Sequence, residues 1–325
     1  MNYWKEKIII GNKTYSRFLG GPLDGYTDSP WRRLVRQFSP ENMLYSEMRH
    51  ISCIANESGA LKALNFEQME RPLNFQITVN ELRIDCIEAV VERIEAKGVD
   101  AIDINIACPA RNVVKSQSGS ALMVDIDFLE KVLRRIKVVA SVPVTVKMRA
   151  GFKEKNALDV VRLVENCGIA AIAIHPRLQS AKFSGEPDYS LVAEIKQAIS
   201  IPLLYSGGIH TFEDAQSVYE RTGVDGFLIG RGMFGQPWKL AELQALSEGK
   251  EYNISLEQQL EVAIQHLHFV VDYYGQDGLY AFRKHLASYV SGFENASRVR
   301  ERLIRLDSKE VLEKELRACV GMKRD

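Results

Sequence analysis

A pattern repeated eight times over about the first 240 residues restricts the fold more than any other feature. A short apolar, β-branched run is followed by a polar or glycine-bearing loop, then by a stretch of helical period. The runs are FLGGPL (18–23), MLYSEM (43–48), LNFQITV (73–79), AIDINIA (101–107), VPVTVKM (142–148), AIAIH (171–175), IPLLYSG (201–207) and GFLIG (226–230). Between two of them, ELRIDCIEAVVERIEAKG sets Ile87, Val90, Val91 and Ile94 at i, i+3, i+4 and i+7, and DFLEKVLRRIKVVA does the same with Leu129, Val132, Leu133 and Ile136. Gly98, Gly168 and Gly223 stand where such helices should end.

Alternating strands and helices imply parallel pairing through right-handed crossovers. Eight such units predict an α/β protein built on a (β/α)8 TIM barrel over residues 1–248. An open doubly wound sheet is the alternative. Its marker, GxGxxG after the first strand, is not what GGPLDG provides. From about Glu251 the strand signal disappears. SLEQQLEVAIQHLHFVVDYYG and the stretch from Tyr280 to Ala318 read as three or four helices, so residues 249–325 are expected to form a small all-helical domain.

The formal net charge is zero, which argues against a broadly basic nucleic-acid binder. From Arg283 to Arg305, however, Arg283, Lys284, Arg298, Arg300, Arg302 and Arg305 face only Glu294 and Glu301, six positive against two negative charges for a net of +4. The ordinary reading of such a bias is a solvated helix face. No apolar run approaches the roughly 20 residues of a membrane helix. The five cysteines are odd in number, widely spread and free of CxxC or Cys/His zinc spacing, so neither disulfides nor a metal is expected. A cytoplasmic monomer without membrane contact is the expectation.

In a barrel the chemistry lies at the C-terminal ends of the strands. Those ends carry Pro22-Leu23-Asp24, Glu47, Gln76, Asn105 with Cys108, Lys147 with Arg149, His175 with Arg177, Ser206-Gly207-Gly208, and Gly230-Arg231. SGGI and IGRG close strands seven and eight, where barrels commonly hold a phosphate on exposed backbone N–H groups. Two tight turns would look the same. Lys147 should point into the mouth and needs an anionic partner, either a ligand or a carboxylate such as Asp103. Gln76 and Asn105 offer donor and acceptor together, suited to a heterocycle edge, although a satisfied core amide is the commoner case. Cys86 and Cys167 read as packing; Cys53 and Cys319 carry no signal. Cys108 lies past its strand in a loop facing the mouth, with Arg111 and Lys115 following at i+3 and i+7. Nearby cations would lower its pKa, and the residues alone leave both roles open: proton donor or thiolate nucleophile.

With these ends in order, the chain resembles the tRNA-dihydrouridine synthase family from about residue 17 to 310. The resemblance rests on PLDGYTDSPWRRL, SEM, FQI, INIACPARNVVKSQSGSALM, VKMRAG, IHPRLQSAKFSG, SGGI, IGRGMFGQPW and FRKHLASYVSGFENA, which follow in family order. It implies an FMN-dependent enzyme that reduces the C5=C6 bond of selected tRNA uridines, with NADPH supplying electrons. Carried across, it implies that Pro22, Leu23, Asp24, Gln76, Lys147 and His175 contact the flavin. Ser206, Gly207, Gly208, Gly230 and Arg231 would hold its phosphate, and Cys108 would be the acid. Asn105, Arg149 and Arg177 become candidates for uracil or flavin contacts. Arg283, Lys284, Arg298 and Arg300 become candidates for tRNA. The sequence departs from the pattern at Leu23-Asp24, at Ser206 and at Pro176, the last expected to stiffen a loop. Two other readings compete: reduction of a free pyrimidine, as in dihydroorotate dehydrogenases, and a non-catalytic RNA-binding scaffold.

Overall fold

The computed structural model describes residues 3–320 apart from Phe183. Eight parallel strands close on themselves: β1 (Phe18–Gly20), β2 (Leu44–Tyr45), β3 (Leu73–Thr78), β4 (Ala101–Ile106), β5 (Val144–Gly151), β6 (Ala171–Leu178), β7 (Leu203–Ser206) and β8 (Gly226–Ile229). Each pairs with its sequence neighbour, and β8 returns to β1 through Phe227↔Phe18 to Ile229↔Gly20. Closure excludes the open doubly wound sheet. The barrel is thinnest at β1–β2, which share the single register pair Gly20↔Leu44.

Eight helices follow the strands: α1 (Ser29–Phe38), α2 (Glu57–Ala63), α3 (Ile87–Ala96), α4 (Ile126–Val139), α5 (Ala157–Asn166), α6 (Tyr189–Ala198), α7 (Phe212–Thr222) and α8 (Lys239–Ser247). The apolar stripes read from the sequence are the buried faces of α3 and α4. Gly223 caps α7 in the left-handed conformation, as a residue without Cβ does at low cost.

Strand limits differ from the periodicity in an informative way. β1 and β2 stop short of 23 and 48. Pro22 has no N–H to donate to a ladder, and the Ser46 hydroxyl accepts the Gln76 N–H at 2.8 Å. β5 and β6 run longer, to Gly151 and Leu178, because they continue to pair across a bulge after Arg149. Pro176 therefore lies inside a strand and not in a loop. A feature the periodicity did not suggest is an antiparallel hairpin, Ile8–Ile10 with Lys13–Tyr15. Its Ile8, Ile10 and Tyr15 pack with Leu19, Tyr45, Ala101, Leu204 and Leu228 in the barrel's second apolar cluster.

Beyond the barrel lie four helices among the described residues: α9 (Leu256–Tyr274), α10 (Gly278–Tyr289), α11 (Ala296–Leu303) and α12 (Lys309–Ala318). Leu260, Ile264, Leu267, Phe282, Leu286 and Phe293 belong to the same apolar cluster as Trp31, Leu34 and Val35 of α1, so these helices share the barrel's core. Polar groups strengthen the joint. Tyr274 Oη donates to Asp28 Oδ2 at 3.0 Å, and Asp28 Oδ1 caps α1 by accepting the Trp31 N–H. Asp28, His266 and His285, all buried, bring their donor atoms within 4.8 Å of one another. No described helix is long and apolar enough to cross a membrane.

Candidate functional site

A cavity of about 310 Å³ opens at the C-terminal face of the barrel. Its wall includes Pro22, Leu23, Asp24, Gln76, Asn105, Cys108, Lys147, Arg149, His175, Ser206, Gly207, Gly208, Gly230 and Arg231. Thus all the strand-end residues singled out for cofactor, acid or substrate reach one space, except Arg177. That arginine donates through Nε to the Gly185 carbonyl at 2.9 Å, and its Nη1 lies 3.3 Å from His175 Nε2. Met48, Asn112, Val113, Ile209 and His210 also line the cavity and were not anticipated. Only the position of Asn112 and Val113 in the loop after Cys108, and of Ile209-His210 after Gly208, could have suggested them.

One hydrogen-bonded chain organises the floor. The Thr145 hydroxyl donates to Asp103 Oδ1 at 2.5 Å and Gln76 Nε2 donates to Asp103 Oδ2 at 2.7 Å. Gln76 Oε1 in turn accepts from Asn105 Nδ2 at 2.9 Å. Asn105 Oδ1 accepts the N–H groups of Ala107 and Cys108, at 3.0 and 2.8 Å. Arg149 is buried and acts on the same loop: its Nε donates to the Ala107 carbonyl at 2.8 Å, and its Nη1 spans Leu178 and Lys182. Ser120 holds the Cys108 carbonyl through both its hydroxyl and its N–H. Gly119, at φ +57°, passes so close that a Cβ there would stand 3.0 Å from the Cys108 oxygen and 2.7 Å from Val113. Asn105 and Arg149, read in the sequence as candidates for uracil or flavin contacts, line the cavity and also fix the loop that carries the thiol.

The electrostatics correct one expectation. Arg111 and Lys115 sit on a one-turn helix, exposed to solvent, and neither acts on Cys108. The cations that do are Lys147 and Arg149. Burial outweighs them and, with the Asp24 carboxylate adding to it, holds the thiol pKa above its ordinary value. Cys108 therefore keeps its proton at neutral pH. A group in that state donates a proton; it does not attack as a thiolate.

Burial, aided by Arg149, pushes Lys147 down to about 8 against the opposing pull of Asp103 and Cys108. Asp103 is not the close ion partner expected for Lys147. Its oxygens are held by Thr145 and Gln76, and burial raises its pKa to about 6. Burial, then Lys147, Arg149, Arg177 and Arg231, drives His175 far below the usual histidine range, so the imidazole is neutral.

At the opposite wall, Gly207 and Gly208 take φ of +128° and +67°. A Cβ on Gly207 would strike the His175 ring at 2.7 Å, whereas Gly208 faces open space. The N–H groups of Gly207, Gly208 and Gly230 donate to no described backbone carbonyl. Free backbone donors beside the guanidinium of Arg231 suit an anion such as a phosphate. Neutral His175, the Gln76 amide and the Lys147 ammonium leave room for an extended polar heterocycle above the floor. The donor set fits a phosphorylated flavin.

A family model described as dihydrouridine synthase (Dus) matches residues 19–323. The chain belongs to the dihydrouridine synthase family. It is 34% identical over 313 residues to a tRNA-dihydrouridine synthase B of Pseudomonas syringae pv. tomato, covering 93% of this chain and 91% of that one. With a probable tRNA-dihydrouridine synthase 1 of Synechocystis it shares 31% over 310 residues, 94% and 87% of the two chains. Among solved structures, an old yellow enzyme homologue from Zymomonas mobilis superposes with a TM-score of 0.57 at 14% identity, covering 78% of this chain and 95% of that one. Morphinone reductase in complex with tetrahydroNAD gives 0.56 at 11%, covering 74% and 90%; both report on the barrel fold. As a member of the dihydrouridine synthase family, the protein is a flavin-dependent oxidoreductase.

The basic candidates are unequally free. Arg283 pairs with Asp307 at 2.8 Å and also donates to the Leu306 carbonyl. Arg300 donates to the Val290 carbonyl at 2.7 Å. Arg302 and Arg305 pair with Glu315 and Glu301. Arg298 is exposed, and Lys284 reaches from α10 toward the β1 loop, its Nζ 5.7 Å from the Tyr26 ring centre. Much of the +4 is therefore spent within the helices themselves.

Proposed function

We propose that the protein reduces the C5=C6 bond of specific uridines in tRNA, with FMN as the bound flavin and NADPH as the electron source. The observation that carries this reading is the Cys108 loop, held by Asn105, Arg149 and Ser120 so that the thiol faces the cavity lined by Gln76, Lys147 and His175; burial holds that thiol's pKa above its ordinary value. Residues 249–325 act as a tRNA-binding domain, and Lys284 and Arg298 supply the free charge.

The FMN phosphate fits against Ser206, Gly207, Gly208, Gly230 and Arg231; its ring system fits among Pro22, Leu23, Asp24, Gln76, Lys147 and His175. When bound, the flavin supplies the hydride that reaches C6 of the uracil. This chain's residues do the rest. Hydride arrival leaves negative charge on the C5–O4 side of the base, and Cys108 delivers the proton to C5. Lys147, charged up to about pH 8, favours that developing negative charge. Asn105 and Arg149 keep the sulfur in reach and line the space the base would enter. A uridine stacked in folded RNA reaches the mouth only when extruded, at about a few kcal/mol. Phosphate contacts on the helical domain offset that cost. A free pyrimidine would need no such platform.

The test is Cys108→Ala, followed through flavin content, reduction by NADPH and dihydrouridine formation in unmodified tRNA. Flavin binding and reduction are expected to persist while product formation falls by about 10²–10⁴. Near wild-type turnover would remove the acid from the mechanism.

A further inference from the structure

A second groove adjoins the catalytic cavity and has no part in the reaction just described. Met48, Asn112 and Val113 line both spaces and form the shared wall. On its far side the groove is bounded by the 3-10 turn Glu81–Cys86, which presents Leu82 and Arg83. The geometry points to this groove as a subsite for the nucleotide that neighbours the reacting uridine in the RNA chain. The inference rests on the RNA substrate proposed above.

Three observations support that occupant. First, position: a uridine drawn into the cavity brings its covalent neighbours to the rim, and the groove continues the rim past the shared wall. Second, the chemistry of the bounding turn: Leu82 is 84% exposed at a groove edge, and a large apolar side chain left in water there suits the face of a base. Arg83 is exposed and has no ion pair or side-chain hydrogen bond among the described residues. Its guanidinium is free for a phosphate. Glu81 and Asp85 share the turn but do not line the groove.

Third, polar capacity beneath the floor. His50 Nδ1 accepts the Ser52 N–H at 3.2 Å, which places the imidazole proton on Nε2. Asn80 Nδ2 donates to the Ser116 carbonyl at 2.9 Å, which fixes the amide with Oδ1 elsewhere. His50 Nε2 and Asn80 Oδ1 are buried without a hydrogen-bond partner, a state that costs free energy unless something pairs with them. His50 and Asn80 both line the groove, so one donor and one acceptor there are left to pair with a group that is itself both acceptor and donor, such as a ribose hydroxyl. The pairing is generic, so the subsite would hold a neighbour of any base by packing and charge.

The experiment uses holoenzyme carrying Leu82→Asp, Arg83→Glu, or both. Each variant is assayed for flavin content, for flavin reduction by NADPH without RNA, and for kcat and KM with unmodified tRNA. Both side chains are exposed, and flavin content reports whether the fold is intact. The expected result is a KM for tRNA about tenfold higher in the double variant, with kcat, flavin content and NADPH reduction unchanged and much of the loss restored by Arg83→Lys. An unchanged KM in the double variant overturns the subsite alone. Slower reduction by NADPH also overturns it, because the groove then belongs to the reductant. Wild-type enzyme that leaves tRNA unreduced overturns the function proposed above and this subsite with it.

Discussion

The side-chain oxygen of Asn105 accepts the N–H of Cys108 at 2.8 Å, so the asparagine inside β4 sets the position of a thiol three residues later. The same asparagine is tied through Gln76 to Asp103 on the barrel floor. Asn105→Ala is therefore expected to loosen the thiol and leave the cavity wall standing. A displacement of about 1 Å can cost about 10²-fold in rate. The expected pattern is a fall in kcat of that order with little change in flavin content. Altered alkylation kinetics of Cys108 by iodoacetamide would distinguish displacement from a lost substrate contact. Unchanged alkylation beside a raised KM would return Asn105 to the substrate.

The thiol also gives a pH dependence with a definite sign. Burial first, and Asp24 in support, raises the Cys108 pKa above its ordinary value. The proton-donating form is thus present throughout the neutral range and is lost only on the alkaline side. Product formation should fall as pH rises past the ordinary thiol range, and alkylation should rise over the same interval. Lys147, with its pKa near 8, loses its charge before that interval is reached and thereby raises the thiol further. Asp24→Asn removes an anion and should shift the alkylation profile to lower pH. A profile that stays in place would show that Asp24, largely exposed, is too well screened by water to matter.

Three buried imidazoles predict how stability responds to acid. Burial holds His266 down to about 3 and pushes His285 and His175 well below the ordinary histidine range. An unfolded chain takes up protons at these positions near pH 6.5, whereas the folded one does not. Between those values the unfolded state binds more protons, so stability must decline as pH falls below about 6.5. Asp28 and Asp103 oppose this in part. Their pKa values, each raised to about 6 by burial, make the folded state the better proton acceptor at these positions between the ordinary carboxylate value and 6. His266→Gln should flatten the decline in the thermal midpoint between pH 7 and 5. An equally steep decline in the variant would assign the acid sensitivity to other groups.

The barrel was legible because each strand is buried on both faces and each helix on one, which imposes apolar runs and helical stripes directly on the sequence. The Ile8–Ile10 hairpin escaped notice because three-residue strands leave no period to read. Most of the cavity residues were legible by position, since closure of the barrel gathers the strand ends, although Glu47 and Arg177 fall outside its wall. The roles of the cavity residues were not. Arg149 and Asn105 line the cavity as the sequence suggests, but only the fold shows that they also hold the Ala107 carbonyl and the Cys108 N–H. The state of Cys108 was hidden for the same reason: sequence adjacency suggested Arg111 and Lys115, and the fold substituted Lys147, Arg149 and burial.

The basic cluster shows how far charge counting carries, and it separates two arginines that the sequence treats alike. Arg298 is exposed on α11, whereas Arg300 donates to the Val290 carbonyl at the end of α10. Arg298→Glu should weaken tRNA binding and reduce the slope of log K against log salt by about one unit per lost phosphate contact, with the thermal midpoint unchanged. Arg300→Glu should instead lower the midpoint, because removing its guanidinium leaves a C-terminal carbonyl without its partner, a loss of about 1–3 kcal/mol. Lys284→Glu places a negative charge between the helices and the β1 loop, beside Tyr26, and should raise KM for tRNA more than Arg298→Glu does. Equal effects of Arg298→Glu and Arg300→Glu on tRNA binding, with no change in midpoint for either, would mean that the Val290 contact contributes nothing and that both arginines face the RNA.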